Sequence, residues 1–97
     1  GKGGPNQEFA AAFADKIVGI KDIVCASIDT DGEDGSTDIA GGITDGNTKE
    51  KARNLGIDLC NILVKHDSYN LLTNLEDAIF TGPTGTNVGD FRVILIK

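Results

Sequence analysis

The stretch "DIVCASIDTDGEDGSTDIAGG", residues 22–42, joins two unlike halves. Residues 23–28 are short, apolar and rich in β-branched side chains, the pattern of a buried strand. Directly behind them, residues 27–42 gather five carboxylates and four glycines into sixteen positions. A strand that runs into a pliable, charged loop suits an α/β sheet, where ligands sit beyond the carboxyl ends of the strands. Whether this loop faces a metal, a phosphate or only water decides how the chain is read.

On its N-terminal side, "GKGGPNQEFAAAFADKIVG" reads as a glycine-rich entry followed by a helix. Pro5 and Asn6 mark its start, Glu8 lies in the first turn near the positive end of the dipole, and Gly19 is the stop. Phe9, Phe13 and Ile17 recur at four-residue spacing, with Ala10 and Ala14 on the adjoining face. On the C-terminal side, "NTKEKARNLG" predicts a helix begun by Asn47 or Thr48 and closed by Gly56. "DLCNILVKH", begun by Asp58, and "DSYNLLTNL" predict two more. "DAIFTG" reads as a second strand, "PTGTNVGD" as a second pliable loop and "FRVILIK" as the last strand. Strands separated by helices predict one α/β domain over residues 1–97, with helices packed on a small mixed, partly parallel β-sheet. Both pliable loops would leave that sheet at its ligand-binding end.

Composition narrows the function classes. Fifteen acidic residues against nine basic ones give a net charge of -6, a field that repels nucleic acid, and no basic stretch interleaved with aromatics offsets it. No apolar run approaches membrane-spanning length. Cys25 and Cys60 both sit in apolar contexts without CxxC spacing, which predicts two buried free thiols in a reducing compartment rather than a disulfide. The chain has no methionine, even at position 1, and is expected to be a fragment of something larger.

The acidic loop echoes a calcium-binding EF-hand only superficially. The sixth position is Asp34 instead of glycine, the twelfth is Ala40 instead of glutamate, and a strand precedes it. A magnesium site stays open, because Mg²⁺ often takes one or two carboxylates plus substrate phosphate. The competing reading is a solvated turn in which aspartates cap backbone amides, with Ser36 or Thr37 before Asp38 starting a short helix. In the second loop, Gly82 and Gly85 allow amides to turn inward, and Thr81, Thr84, Thr86 and Asn87 add neutral donors. That composition suits an anion-binding nest, and equally a plain turn connection. It is not a Walker A loop, because no Gly-Lys-Ser/Thr follows at the proper spacing. Gly3, Gly4 and Lys2 before the first helix have the same anion-attracting character. His66, without a paired nucleophile, is expected near a helix end, Arg92 to reach a carboxylate or snorkel, and Tyr69 to pack with a wet hydroxyl.

Taken together, "DTDGEDGSTDIAGGITDGNT", "HDSYNLLTNL" and "FTGPTGTNVGDFRVILI", preceded by "GKGGPNQEFA", resemble the MOFRL domain, the C-terminal domain of class II glycerate kinases. The match runs in the right order over essentially the whole chain. The resemblance implies a fragment of a two-domain cytoplasmic enzyme that transfers the γ-phosphoryl of ATP to a hydroxyl of D-glycerate. ATP and Mg²⁺ are the implied cofactors, a small hydroxy acid the substrate and the N-terminal domain of the same enzyme the partner; a homodimer is left open. It further implies that Asp31, Asp34 and Asp38 act in catalysis, Asp31 and Asp34 facing the metal, and that Asn6, Gln7, Glu8, Thr37, Thr84, Gly85, Thr86 and Asn87 contact substrate or phosphate. The isolated domain, half a site, would not turn over. Some family members carry a hydroxypyruvate reductase label, for which this chain shows no GxGxxG fingerprint; a non-catalytic anion-binding or regulatory module is the other alternative. Departures from the family wording are Pro5 where an arginine is usual, Ser36 for proline, Gly89 for asparagine and Asp29 for glycine. An arginine at position 5 would clamp an anion bidentately, which proline cannot do.

Overall fold

The computed structural model describes residues 1–86 and 88–97. In chain order the elements are α1 (Pro5–Lys16), β1 (Ile23–Asp29), β2 (Gly41–Asp45), α2 (Thr48–Asn54), α3 (Leu59–Lys65), α4 (Ser68–Asn74), β3 (Ala78–Ile79) and β4 (Asp90–Ile96). The strands form one sheet in the order β3-β2-β1-β4. Helices on a small sheet are thus as expected, but among the described residues every strand pairing is antiparallel rather than partly parallel: β1 with both β2 and β4, and β2 with β3. The reason lies in β2, a strand hidden by its own sequence. Gly41 and Gly42 have low strand propensity, and residues 36–38 looked like a helix start. Instead the chain turns and comes straight back along β1, a hairpin-like return that makes neighbours antiparallel. Gly41 is required here, since a Cβ would overlap the Ser27 carbonyl of β1.

One face of the sheet carries α1, which lies against β1 and β2; α3 and α4 pack on α1 from the far side. Of the apolar positions singled out in this helix, Ala10, Ala14 and Ile17 are buried, while the two phenylalanines are not. Ala10, Ala11 and Ala14 are fully buried, while Phe9 and Phe13 are half-buried and stack on each other with ring centroids 6.2 Å apart. Small side chains let the helix backbone approach the sheet closely enough for the Thr44 hydroxyl to donate to the Ala10 carbonyl at 2.7 Å. The core then continues through Ala52, Leu59, Ile62, Leu71 and Leu75 between the helices. Asp58 starts α3 by accepting from the Cys60 amide at 3.0 Å, as expected of that residue type. His66 ends α3 in the left-handed conformation at φ 52°.

Cys25 is a buried free thiol, as expected, and burial pushes its pKa up. Cys60, expected to be buried, is exposed, because it lies on the outer side of α3. Among the described residues no helix is long and apolar enough to cross a membrane.

Candidate functional site

The centre of the site is a carboxylate with no exposure at all. Asp34 lies in the acidic loop yet is fully buried beneath the N-terminus of α1. Helix N-termini leave their first amides unpaired, and Gly4, the residue before α1, has no side chain to satisfy them. Asp34 does so from a distance in sequence. Its Oδ1 accepts from the Asn6 amide at 3.0 Å and from Asn6 Nδ2 at 3.1 Å. Its Oδ2 accepts from the Gln7 amide at 2.8 Å and from Gln7 Nε2 at 3.0 Å. A negative charge at this helix end is also favoured by the dipole.

Four further side chains tie into this junction. Gln7 Nε2 also donates to the Thr37 hydroxyl at 2.9 Å, and that hydroxyl donates to the Asp34 carbonyl at 2.7 Å. Asn6 Nδ2 donates to Asp90 Oδ1 at 2.7 Å, and Asn6 Oδ1 accepts from the Ser27 hydroxyl. Arg92 Nε reaches Ser27 Oγ at 3.3 Å, and its guanidinium lies 4.3 Å from the Phe9 ring centroid. The sequence expectation that Arg92 either finds a carboxylate or snorkels is met by a stacked, hydroxyl-bonded arrangement, with Asp90 at 3.9 Å. Gln7 Oε1 is buried and has no partner among the described residues.

Above this buried layer the two pliable loops touch. The Thr84 amide donates to the Asp31 carbonyl at 3.1 Å, and the Thr84 hydroxyl donates to the Thr30 carbonyl at 2.7 Å. The Val88 amide donates to the Thr30 hydroxyl at 3.0 Å. Gly32 makes the approach possible: its φ is +88°, and a Cβ there would collide with the Gly82 carbonyl. The amides of Thr84, Thr86 and Val88 are therefore turned onto protein acceptors rather than converging on open space as a nest would require. Gly85 and Thr86 lie exposed at the loop tip; Asn87 lies outside the described residues.

Carboxylates crowd the rim between the loops. Asp29 and Asp90 are cross-strand partners at the end of β1 and β4, and Asp29 Oδ1 accepts from the Asp31 amide at 3.2 Å. That amide bond lowers the Asp29 pKa, but desolvation and the neighbouring charges of Asp31 and Asp90 outweigh it, so the group titrates above its ordinary value. Asp31 Oδ1 accepts from the Glu33 amide at 2.8 Å.

Asp38 stands apart from the buried junction. Its Oδ1 accepts from the Tyr69 hydroxyl at 2.9 Å, which raises the pKa of the phenol, and Lys2 Nζ lies 4.0 Å from the Tyr69 ring centroid. Glu8 is turned toward α4, where its Oε2 accepts from the Ser68 amide at 3.1 Å and its Oε1 faces His66 Nδ1 at 3.1 Å. The structure thus brings Asn6, Gln7, Asp34 and Thr37 into one buried cluster and sets Asp31 and Thr84 side by side above it. It separates Asp38 and Glu8 from both. Ser27, Asp90, Arg92 and the Tyr69 partner of Asp38 and Lys2 are residues the sequence did not assign to this site; only strand register, invisible in one sequence, brings the first three to α1.

A magnesium ion does not suit the buried junction. Both oxygens of Asp34 are already engaged by four N–H groups inside a closed cluster. Among the described residues no three His, Cys, Asp or Glu side chains are grouped to hold a metal. At the rim, Asp31 accepts one amide bond through Oδ1, and the capacity left on that carboxylate suits an ion that arrives with phosphate ligands of its own. A separate cavity of about 600 Å³, lined by Val18, Lys49, Arg53, Ile57 and Leu59, contains none of these residues.

The MOFRL family model matches residues 1–90. A glycerate 2-kinase of Pyrococcus horikoshii is 48% identical over 96 residues, which are 99% of this chain and 22% of that protein. A D-glycerate 2-kinase of Thermotoga maritima is 46% identical over 99% of this chain and 23% of its own length. A protein of Agrobacterium vitis that carries a hydroxypyruvate reductase name is 44% identical, over 99% of this chain and 25% of its own length. The crystal structure of glycerate kinase from Thermotoga maritima superposes on the whole chain with a TM-score of 0.96 at 45% identity, using 23% of that structure. The chain therefore spans about a quarter or less of the relatives it matches.

Proposed function

The chain belongs to the MOFRL family, and from that premise we propose that it is the domain of a glycerate kinase that forms one wall of the cleft in which ATP phosphorylates a hydroxyl of D-glycerate. The observation that carries this reading is the junction itself: three sequence-distant segments, the start of α1, the acidic loop and the Thr-Gly loop, meet at one end of the sheet. Relatives named as glycerate kinases are 46–48% identical to the chain, and the crystal structure of one shares its fold.

Phosphoryl transfer asks a protein mainly for positioning and for charge neutralisation. In this reading the residues divide by depth. Asn6, Gln7, Asp34 and Thr37 are the positioning layer, which holds the acidic loop on the helix. Asp31, at the rim, orients the attacking hydroxyl or contributes one carboxylate to Mg²⁺ held chiefly by the ATP phosphates. The exposed tip at Gly85 and Thr86, with Asn87, contacts phosphate or the glycerate carboxylate. Asp38, held by Tyr69 beside the Lys2 ammonium, is a substrate-side candidate. Pro5 begins α1 and presents no guanidinium, so Lys2 is the cation this segment offers to an anionic substrate.

The test is ADP release by the full-length enzyme with D-glycerate and MgATP. Asp31→Asn is expected to lower kcat about 100-fold or more, the scale of removing one preorganised electrostatic group. Full activity of that variant would remove Asp31 from the role. A folded, unaltered enzyme that releases no ADP with D-glycerate would overturn the reading as a whole.

A further inference from the structure

β4 has the composition of an interior strand and the position of an edge strand. Its sequence, DFRVILI, is almost continuously apolar, which is typical of strands covered on both faces. Yet it closes the sheet on one side, next to β1 only, and Phe91, Leu95 and Ile96 are 57%, 58% and 74% exposed. Edge strands that face water normally carry lysine, proline or a bulge to prevent pairing. Within β4 the only basic residue is Arg92, and it is drawn back toward α1 over the Phe9 ring.

The exposed apolar surface continues across the sheet. Cys25, Ser27 and Thr44 point toward α1, so their strand neighbours point the other way. Cross-strand register lines up Val24 with Leu95, Ala26 with Ile43 and Val93, and Ile28 with Phe91 on that opposite face. Among the described residues the helices lie on the other face, where α1 packs on β1 and β2 and Leu72 of α4 sits against Gly42. The backbone agrees. Lys97 donates to the Asp22 carbonyl and Thr30 to the Gly89 carbonyl, so alternation turns the amides of Arg92, Ile94 and Ile96 away from β1.

We infer that β4 becomes an interior strand in the full-length enzyme, where the remainder of the same polypeptide pairs with its free edge and covers the open sheet face. The relatives supply the amount of chain this needs, since the matched region is only 22–25% of their length. A second copy of this segment is a poorer occupant. Each copy carries a charge of -6, and Asp45 stands on the open face beside Val24, so face-to-face contact would oppose like charges. The inference depends on the chain being part of a longer polypeptide, as in the proposed function, but not on the phosphoryl chemistry.

Hydrogen exchange resolved to single amides in the full-length protein tests it. The Arg92, Ile94 and Ile96 amides are expected to exchange more than about 100-fold slower than unstructured amides, the behaviour of bonded interior strands. That protection is expected to persist over dilution on the order of 100-fold, which would dissolve a weak self-association. Leu95→Glu is expected to abolish it locally, and Leu95→Met to preserve it. Free exchange of all three amides in the unaltered protein would overturn the inference, as would protection that vanishes on dilution, which would assign the face to a second copy. Protected amides in an enzyme inactive on D-glycerate would support the inference while retiring the glycerate reading.

Discussion

Replacing Asp34 by asparagine removes the charge, keeps the shape and leaves the junction short of acceptors. The carboxylate accepts four N–H groups, two on each oxygen, from the backbone and side chains of Asn6 and Gln7. An asparagine offers one carbonyl oxygen and one NH2 group, so two of those donors must face another donor. Hydrogen bonds to a charged acceptor contribute about 1.5–3 kcal/mol each, so two lost bonds amount to about 3–6 kcal/mol. The carboxylate's own burial cost disappears with it, which brings the net effect to about 2–4 kcal/mol. The exchange of the Asn6 and Gln7 amides in the full-length protein reads this directly, and about 3 kcal/mol corresponds to roughly 100-fold faster exchange. Thr37 should loosen in parallel through its bond to Gln7. A positioning role predicts that turnover falls together with this local opening. If Asp34→Asn leaves exchange within about threefold of the unaltered protein while abolishing turnover, Asp34 acts on the substrate instead, and the division by depth fails.

The contact between the loops is open to a similar perturbation. Gly32→Ala puts a side chain at φ +88° against the Gly82 carbonyl, so it should separate the acidic and Thr-Gly loops at a cost of about 1–3 kcal/mol; faster exchange of the Thr84 amide is the measurement, and unchanged exchange would show that the loops are not coupled there. Asp29 titrates above its ordinary value because its bond from the Asp31 amide, which acts downward, is outweighed by burial and the charges of Asp31 and Asp90. A raised folded-state pKa means that stability is present below the unfolded value and is lost as pH rises through the folded one. Asp29→Asn should therefore raise Tm at neutral pH and lose that advantage near about pH 3, where the carboxyl is protonated in both states; an equal shift at both pH values would refute the repulsion.

The helices were legible because each is specified by its own residues. Asp58 caps α3 from one position away, and the Gly56 and His66 ends depend on local backbone freedom. The first and last strands of the chain were legible from short β-branched runs at residues 23–28 and 91–96. The family, too, was readable from four motifs in order, since an ordered set of loop sequences is a linear property. What the linear pattern withheld were choices made between distant residues. β2 is held by its pairing with β1 rather than by the propensity of Gly41 and Gly42, so neither the strand nor the antiparallel sense could be read locally. In α1 the approach to the sheet selected the alanines for burial over the larger phenylalanines. Among five carboxylates of one loop, nothing in their neighbours distinguishes Asp34. It is buried because α1, 27 and 28 residues away in sequence, brings four N–H groups to it, and burial of a charge is stable only where such partners converge.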